Sequence, residues 1–338
     1  MNNQLRLGVY LAGDIPQSFR VYANNILKYF PMLGVEPVFF QGAHDLPKTV
    51  DVLWDIRSGG GNPPLEFMLG YAPLVITTHG FAPITLPGWE YFKTLRGTIL
   101  SRHYAKQKMA KWQELKGDVS ALIAVSEFTK TEAVRHTGFT AEKIYVCHHG
   151  VDIENFTLGP EKPNSKPYLL HISNNEPRKN VDRIISAFQR LKKNHGIELI
   201  LKLPPQEAAK YQGIAGIKTI GNMLSDKEIA ALYREATAFI FPSLYEGFGL
   251  PILESMACGC PVITSNISAC PEVAGDAALT IDPRNGDLLY QAMLKVSSES
   301  DKSRCQLIQS GYQRVSQFSW EGSARKHVKV FQNTANSG

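Results

Sequence analysis

Short runs of apolar residues alternate along the chain with longer segments in which apolar residues recur every three or four positions. Short runs rich in Val, Ile and Leu are typical of buried strands, and the longer spacing is typical of amphipathic helices. The runs predict strands at Leu5–Leu11, Pro37–Phe40, Val52–Trp54, Leu74–Thr78, Ala121–Val125, Ile144–Cys147, Tyr168–Ile172, Glu198–Lys202, Ala238–Phe241, Pro261–Thr264 and Ala278–Ile281. The helical spacing predicts helices at Val21–Tyr29, Thr98–Lys116, Thr129–His136, Val181–Lys193, Asp226–Arg234 and Pro251–Met256. This alternation indicates parallel sheets with helices on both faces.

The alternation stops once, at residues 157–167, and then restarts. This segment contains three prolines and no apolar periodicity, which is typical of a linker. A length of 338 residues also favours two domains. We therefore predict an α/β protein with doubly wound domains at residues 1–160 and 165–315, and an amphipathic segment at residues 318–333 that begins with Phe318-Ser-Trp320.

Composition restricts the class of protein further. Hydrophobic residues make up 43% of the chain and charged residues 20%, which supplies a substantial core and argues against disorder. The amino-terminal sequence lacks the pattern of a signal peptide, and no apolar run approaches the ~18 residues of a membrane-spanning helix. Five cysteines, an odd number, form no disulfide framework. These features predict a cytoplasmic protein, either free or peripheral at the inner face of a membrane.

The net charge of +5 is concentrated most strongly between Arg96 and Lys116. Tyr104, Met109 and Trp112 lie within this stretch at helical spacing, so it is either a solvated helix face or a contact with an anionic membrane or acceptor. Because no nucleic-acid-binding module is present, we predict no nucleic-acid partner. The sequence predicts no particular oligomeric state.

A glycine-rich loop follows the strand that ends at Phe241. Pro251 is typical of a first helical turn, so the backbone N–H groups just before it point at whatever lies ahead of the helix and suit a phosphate; these N–H groups belong to Gly247, Phe248, Gly249 and Leu250. Glu254, placed on the first turn, either balances the helix dipole or accepts hydrogen bonds from a ribose. Glu246 precedes the loop and faces the opposite side of the phosphates.

A basic pair, Arg178 and Lys179, follows the strand at Tyr168–Ile172 and a helix-breaking Pro177. Ligands of open α/β sheets bind at the carboxyl ends of the strands, where this loop lies. The pair either clamps a pyrophosphate or remains a solvated pair of surface charges.

Together these features resemble a known family. The resemblance rests on Glu246 and Glu254 with seven residues between them and on the following strings: Pro177-Arg-Lys-Asn180, Glu246-Gly-Phe-Gly-Leu-Pro251, Ala257-Cys-Gly-Cys-Pro-Val262 and Pro271-Glu-Val-Ala-Gly-Asp-Ala-Ala278. Weaker matches are Thr77-Thr-His79, Val125-Ser-Glu-Phe128, His149-Gly-Val-Asp152 and the terminal Phe318-Ser-Trp320. The chain resembles the family 4 retaining glycosyltransferases of GT-B fold (glycosyl transferases group 1).

The resemblance implies two Rossmann-like domains that face each other across a cleft, with the last helix crossing back to the first domain. The first domain would bind the acceptor and the second the nucleotide-sugar donor. Lys179, helped by Arg178, would neutralise the diphosphate, Glu254 would hold the ribose, and Glu246 would touch the sugar hydroxyls. His79 would contact the sugar near the reacting carbon, although a strand-end histidine with a purely structural role is the alternative. Asn222 and Met223 would lie in the base-contacting turn, unless that turn is a plain connector.

The implied activity is transfer of a hexosyl group, mannosyl or similar, with retention at the anomeric carbon. The donor would be a nucleoside-diphosphate sugar, with GDP-mannose ahead of UDP-sugars, and the acceptor a sugar, a glycolipid or a polysaccharide precursor. No cofactor or metal is expected to be required. Alternatives are a GT-B epimerase or phosphorylase and a non-catalytic sugar-nucleotide-binding protein. Cysteine and histidine clusters at residues 147–149 and 258–270 lack the ligand spacing of a zinc site.

The chain departs from the family pattern at two places. An arginine usually precedes the phosphate lysine by five or six residues, where this chain has Asn174 and Ser173. The first strand–helix loop usually contains a Gly-Gly pair, where this chain has only Gly13. The phosphate clamp and the acceptor geometry are therefore expected to differ from the family's.

Overall fold

A computed structural model describes residues 4–13, 15–159, 166–192, 196–298 and 301–337. The strands in these residues are β1 (Leu5–Tyr10), β2 (Val35–Phe40), β3 (Val52–Gly59), β4 (Leu74–Gly80), β5 (Ala121–Ala124), β6 (Ile144–Val146), β7 (Tyr168–Ile172), β8 (Glu198–Lys202), β9 (Ile217–Ile220), β10 (Ala238–Phe241), β11 (Val262–Ser265) and β12 (Leu279–Ile281).

The α-helices of the described residues are α1 (Gln17–Leu27), α2 (Ala82–Thr85), α3 (Gly88–Tyr91), α4 (Leu95–Leu115), α5 (Glu127–Thr137), α6 (Val181–Lys192), α7 (Pro205–Ala209), α8 (Asp226–Glu235), α9 (Leu250–Ala257), α10 (Cys270–Ala274), α11 (Gly286–Ser298), α12 (Asp301–Val315) and α13 (Trp320–Ala335). Short 3₁₀ turns lie at Pro31–Leu33, Ala43–Asp45, Glu66–Met68, Lys116–Asp118, Ala141–Lys143, Pro177–Lys179 and Gly275–Ala277. Within the described residues, no helix combines the length and the apolar character that a membrane span requires.

The strands form two six-stranded sheets, and all pairings are parallel. One sheet has the order β2-β1-β3-β4-β5-β6 and the other the order β12-β11-β10-β7-β8-β9. Each of the eleven predicted strands overlaps an observed one, and the α/β class with two doubly wound sheets is confirmed. The strand β9 was not predicted, because Lys218 and Thr219 interrupt its short apolar run.

The chain divides into two compact units, each built from more than one segment. The N-terminal unit comprises Met1–Gly88, Ile99–Gly150 and Phe318–Gly338, and the C-terminal unit comprises Trp89–Thr98 and Val151–Gln317. The division at residues 150/151 lies ten residues before the predicted domain end at 160. Residues 160–165 of the predicted linker, and Lys193 at the end of a predicted helix, lie outside the described residues.

The last helix completes the N-terminal unit. Helix α13 packs against α1, β3 and β5, and its Phe331 is fully buried beside Phe30 and Trp54, with ring centroids 6.1 and 5.4 Å away. The expectation that the terminal segment returns to the first domain therefore agrees with the structure. It brings residues from opposite ends of the chain into one core.

The C-terminal unit is arranged so that two distant loops meet. Strands β7 and β10 are neighbours in its sheet, with Leu169 opposite Ala238 and Leu170 opposite Phe239. Both strands are almost completely buried, with α6 and α11 contributing side chains to a shared core on one side. Since parallel strands end at the same edge, the loops that follow β7 and β10 lie side by side.

Several helices were not predicted. Helix α12 has weak apolar periodicity, because only Gly311 and Val315 among its described side-chain positions are buried. Helix α11, in contrast, buries Leu289, Met293 and Val296 at regular helical spacing, so its signal was present in the sequence. The short helices α2, α3, α7 and α10 have four or five residues each and are too short for periodicity to identify.

Candidate functional site

Hydrogen bonds connect the loop after β7 to the loop after β10. The first loop ends in the 3₁₀ turn Pro177–Lys179, which Asn180 closes in the left-handed region at φ 65°. The Asn180 side-chain amide donates to the carbonyl oxygens of Pro242 and Pro283, at 3.0 and 2.7 Å. The backbone N–H of Leu244 donates to the Arg178 carbonyl oxygen at 2.7 Å. These bonds fix the direction in which the two loops present their charged side chains.

A buried ion cluster forms where the loops meet. The Lys179 Nζ lies 2.6 Å from Glu246 Oε1, and the Arg178 Nη1 lies 3.3 Å from Glu246 Oε2. Arg178 also donates to the Tyr245 carbonyl oxygen at 3.0 Å, and its Nε lies 2.6 Å from Glu176 Oε2. The side chains of Lys179 and Glu246 are only 12% and 10% exposed. The sequence identified these residues separately and did not predict that they contact one another.

The pKa values in the cluster follow from burial and from these contacts. Burial acts to raise the pKa of Glu246, but the charges of Lys179 and Arg178 outweigh it and leave the pKa lowered. Burial lowers the pKa of Lys179, although Glu246 opposes that effect. For Arg178, the neighbouring Glu246 and Glu176 carboxylates overcome burial and raise the pKa. The cluster is therefore a set of mutually stabilised ions.

A second layer of residues supports the loop that carries Lys179. The His171 Nδ1 bonds to the Ile240 carbonyl oxygen, so Nε2 accepts a hydrogen bond from Ser173 Oγ; both distances are 2.8 Å. The Ser173 hydroxyl also accepts the backbone N–H of Asn175 at 3.2 Å. Of the two positions at which the family usually has an arginine, Ser173 thus makes hydrogen bonds within the loop, and Asn174 is exposed. Arg178 supplies the second positive charge beside Lys179.

The glycine-rich loop leads into α9 as predicted. Gly249 adopts φ 100° at the amino end of the helix, a conformation that side chains rarely adopt, and a Cβ there would lie 3.2 Å from Ile252. Pro251 occupies the first turn. The stretch Gly247–Leu250 therefore lies directly between Glu246 and the positive end of α9.

The predicted placement of Glu254 on the first turn of that helix is wrong. Helix α9 begins at Leu250 and has no acidic residue in its first turn, so Glu254 lies on the second turn, too far along to balance the dipole. Its carboxylate accepts a hydrogen bond from the fully buried Tyr233 hydroxyl at 3.4 Å. Burial, with smaller contributions from the charges of Asp226 and Asp152, raises the pKa of Glu254 to about 7.

The remaining candidates belong to other elements than the loops after β7 and β10. Asn222 and Met223 follow the edge strand β9, and Met223 is 87% exposed. They are at the same sheet edge as Lys179 but follow a strand that is two places away from β7. His79 belongs to the N-terminal unit, at the end of β4. Its Nε2 lies 2.9 Å from the Ile56 carbonyl oxygen, and burial lowers the pKa of this imidazole to about 4, so the ring is neutral.

Sequence reasoning missed residues that position the candidates. Ser268, in the left-handed region at φ 59°, accepts the backbone N–H of Glu246 at 3.1 Å, and Tyr233 donates to Glu254. Neither residue belongs to a motif, so only the strand order could reveal these contacts. Asn180, in contrast, was recognisable, because asparagine is favoured in the left-handed region after a short turn.

The predicted absence of a metal site stays a prediction. In the described part of the chain, no group of three or more His, Cys, Asp or Glu side chains is arranged to hold a metal ion. Cys147, Cys258, Cys260 and Cys270 are all buried. Burial raises the pKa of Cys147, Cys258 and Cys270 to about 12, so these thiols are unreactive packing residues.

Comparison with known proteins identifies the class. Residues 152–314 match the family model described as glycosyl transferases group 1, and residues 60–155 match the model described as glycosyltransferase family 4. The two matches together extend from residue 60 to residue 314. Both are glycosyltransferase models, and they confirm the resemblance drawn from the motifs.

Two curated relatives and one solved structure illustrate the match. An O-antigen chain mannosyltransferase B of Escherichia coli is 30% identical over 62% of this chain and 60% of its own length. An MMP alpha-(1->4)-mannosyltransferase of Mycolicibacterium hassiacum is 30% identical over 77% of this chain and 65% of its own length. The chain therefore spans somewhat less than two thirds of these relatives. A glycosyltransferase structure from Rickettsia africae has 18% identity and a TM-score of 0.74, and the match covers 99% of this chain and 100% of that one; it supports the GT-B fold.

We expect Glu246→Gln to lower the free energy of unfolding at pH 7 by about 3 kcal/mol, because it leaves two buried cations without their shared carboxylate. The pKa of Glu246 is lowered in the folded protein. Its ionic contribution is therefore present above the unfolded pKa and is lost as the pH falls through the folded one, so the deficit should shrink in acid. Urea unfolding at pH 7 and near pH 4 measures both effects. Glu321→Gln, which removes an exposed pair with Arg325, should cost less than about 1 kcal/mol, and an equal loss in both variants would contradict a special role for the cluster.

Proposed function

We propose that this protein is a retaining glycosyltransferase that transfers a hexosyl group, most consistently a mannosyl group, from a nucleoside-diphosphate sugar to a glycan acceptor. The observation that carries the proposal is the cluster of Lys179, Arg178 and Glu246 beside the amino end of α9. The Lys179 and Arg178 side chains and the amino end of α9 supply positive potential for a diphosphate. The matches to two glycosyltransferase family models support the same assignment.

The chemistry that suits this site is loss of a diphosphate leaving group. As the bond between the anomeric carbon and the phosphate oxygen breaks, negative charge builds on the diphosphate, where Lys179, Arg178 and the N–H groups of Gly247–Leu250 oppose it. The acceptor hydroxyl oxygen bonds to the anomeric carbon on the face that the leaving group vacates, and its proton passes to the departing phosphate. The Glu246 carboxylate already holds both cations in position, so little reorganisation is needed during the reaction.

The other candidates have proposed roles around this centre. Glu254 accepts hydrogen bonds from the ribose hydroxyls, Asn222 and Met223 contact the base, and Glu246 contacts hydroxyls of the donor sugar. His79 contacts the sugar near the reacting carbon through a neutral imidazole. We propose that no metal or organic cofactor is required, because the protein's own cations serve the diphosphate.

The donor is proposed to be GDP-mannose in preference to a UDP-sugar. Two relatives that are each 30% identical to this chain are named as mannosyltransferases, one of them for an O-antigen chain. This support concerns the sugar more directly than the nucleotide. A polysaccharide or glycolipid precursor is the corresponding proposal for the acceptor.

A peripheral membrane contact is proposed for a lipid-linked acceptor, with the protein on the cytoplasmic side. Leu95 and Ile99 of α4 are 77% and 68% exposed, and Arg102 and Lys106 continue the same helical stripe. Exposed apolar side chains in line with basic ones are typical of helices that rest on anionic lipid.

The first test removes the Lys179 ammonium group, which is proposed to bind the diphosphate. Lys179→Ala should lower donor turnover at least a hundredfold, which corresponds to about 3 kcal/mol of lost transition-state stabilisation. Lys227→Ala, an exposed change on α8, is the matched control. A thermal-shift screen of GDP-, UDP-, ADP- and dTDP-sugars should give the largest stabilisation with GDP-mannose. Near-normal turnover in Lys179→Ala would overturn the phosphate assignment, and an epimerised sugar nucleotide formed without any acceptor would favour an epimerase.

The second test uses the raised pKa of Glu254. Donor affinity should increase as the pH rises through about 7, because only the ionised carboxylate accepts both ribose hydrogen bonds. Calorimetric titration with GDP-mannose between pH 5.5 and 8.5 measures this rise, which should be absent in Glu254→Gln and retained in Asp287→Asn. If the variant and the parent protein show the same pH dependence, Glu254 does not hold the ribose.

The third test examines the membrane contact. Flotation with phosphatidylcholine vesicles that contain phosphatidylglycerol should recover the protein, and phosphatidylcholine alone should not. Arg102→Glu together with Lys106→Glu should weaken binding by tenfold or more, since each basic residue near an anionic surface contributes about 1 kcal/mol. Lys227→Glu on α8 together with Lys302→Glu on α12 is the charge-matched control, because both residues are exposed and the net charge changes equally. Unchanged binding in the Arg102/Lys106 double variant would exclude this face of α4.

A further inference from the structure

A chain of hydrogen bonds crosses the core of the N-terminal unit behind His79. The Trp54 Nε1 lies 2.9 Å from Thr77 Oγ1, which lies 3.1 Å from the Tyr22 hydroxyl. The same hydroxyl lies 2.5 Å from His327 Nε2, and His327 Nδ1 lies 2.7 Å from the Ser323 carbonyl oxygen. The side chains of Trp54, Thr77, Tyr22 and His327 are all buried. The chain thereby links β3, β4, α1 and the last helix, α13.

The donors and acceptors in this chain have a single consistent direction. The Trp54 indole can only donate and the Ser323 carbonyl can only accept. His327 therefore carries its proton on Nδ1, and Nε2 accepts from the Tyr22 hydroxyl. The Thr77 hydroxyl accepts from Trp54 and is left to donate to the Tyr22 oxygen. Because any other orientation leaves a buried polar atom unsatisfied, the arrangement fixes the position of the Tyr22 ring.

The fixed Tyr22 ring forms one wall of the slot that holds His79. The Tyr22 and His79 rings meet edge to face, with 4.9 Å between centroids and 89° between planes. Phe19 stacks on the imidazole at 4.1 Å and 13°. The bond from His79 Nε2 to the Ile56 carbonyl oxygen puts the proton on Nε2. The His149 ring lies further away, with centroids 6.0 Å apart. The His79 ring is thus held by three ring contacts and one hydrogen bond, with unprotonated Nδ1 as the nitrogen that can accept a bond from a substrate hydroxyl.

We propose that Tyr22, locked by His327 of the last helix, is a positioning residue for His79. The inference rests on the proposed function, in which His79 contacts the donor sugar. It assigns to α13 a part in the reaction: the helix holds an acceptor nitrogen for Tyr22, and Tyr22 holds the imidazole at the angle at which Nδ1 meets the sugar. Small displacements of a substrate-contacting group slow the reaction steeply, because the reacting geometry is lost.

The test separates positioning from packing. Tyr22→Phe keeps the ring and removes the hydroxyl, and it should lower kcat about tenfold while the KM for the donor changes less than twofold. His327→Leu removes the acceptor and should reproduce this effect, whereas His327→Gln retains an acceptor oxygen and should restore much of the lost kcat. Thr137→Val is the control. It removes a comparably buried hydroxyl of α5 that belongs to the same unit but not to this series of hydrogen bonds, and it should leave kcat unchanged.

A direct readout of His79 accompanies the kinetics. In ¹⁵N-histidine-labelled protein, the His79 side-chain resonances, assigned by their loss in His79→Ala, should show the Nε2–H form and should shift in Tyr22→Phe but not in Thr137→Val. Unchanged His79 resonances in Tyr22→Phe would overturn the proposal, as would a fall in kcat that His327→Gln and His327→Leu share equally. If His79→Ala turns over normally, the proposed role of His79 fails, and the resonances alone then decide whether Tyr22 orients the ring.

Discussion

One carboxylate, Glu246, lies between two buried cations and joins the two loops that carry the candidate site of the C-terminal unit. Lys179 and Arg178 come from the loop after β7, and Glu246 comes from the loop after β10, so the ion cluster exists only because these strands are neighbours. With Glu176 on Arg178, two carboxylates face two cations. In the proposed reaction, a diphosphate that enters this site would compete with the protein's own carboxylates for positive charge. Before a ligand arrives, the carboxylates hold the cations in place.

Two glutamates eight residues apart show how strongly surroundings decide the state of a side chain. Both are removed from water, which by itself favours the neutral acid. Glu246 has cations within contact distance and its pKa is lowered, whereas Glu254 has a tyrosine hydroxyl and two more distant acidic residues, and its pKa rises to about 7. A loop and a helical turn thus separate a carboxylate whose pKa is lowered from one whose pKa is about 7. The paired motif specifies residue types, and the fold gives each copy a different chemistry.

Much of this fold could be predicted from the sequence, because strands that are buried on both faces consist of continuous apolar runs. The prediction failed where burial is one-sided or slight, as in β9 and α12. Motif spacing located Lys179 and Glu246 but not the ion pair between them, since strand order in a sheet is set by long-range packing. The same limit hid Tyr233 behind Glu254. The error over the first turn of α9 arose because Pro251 marks the start of a helix only to within a residue or two.

The discontinuous N-terminal unit has a consequence for biosynthesis. All six strands of its sheet have been translated by residue 146, yet the helix that covers Trp54 and Phe30 ends at residue 335. The C-terminal unit needs only residues 89–98 and 151–317, all of which are made earlier. On the ribosome, the half that is synthesised second can therefore close its core first, which reverses the usual order for multidomain chains. Until α13 emerges, the N-terminal unit leaves the aromatic side chains of Phe30 and Trp54 without the helix that covers them.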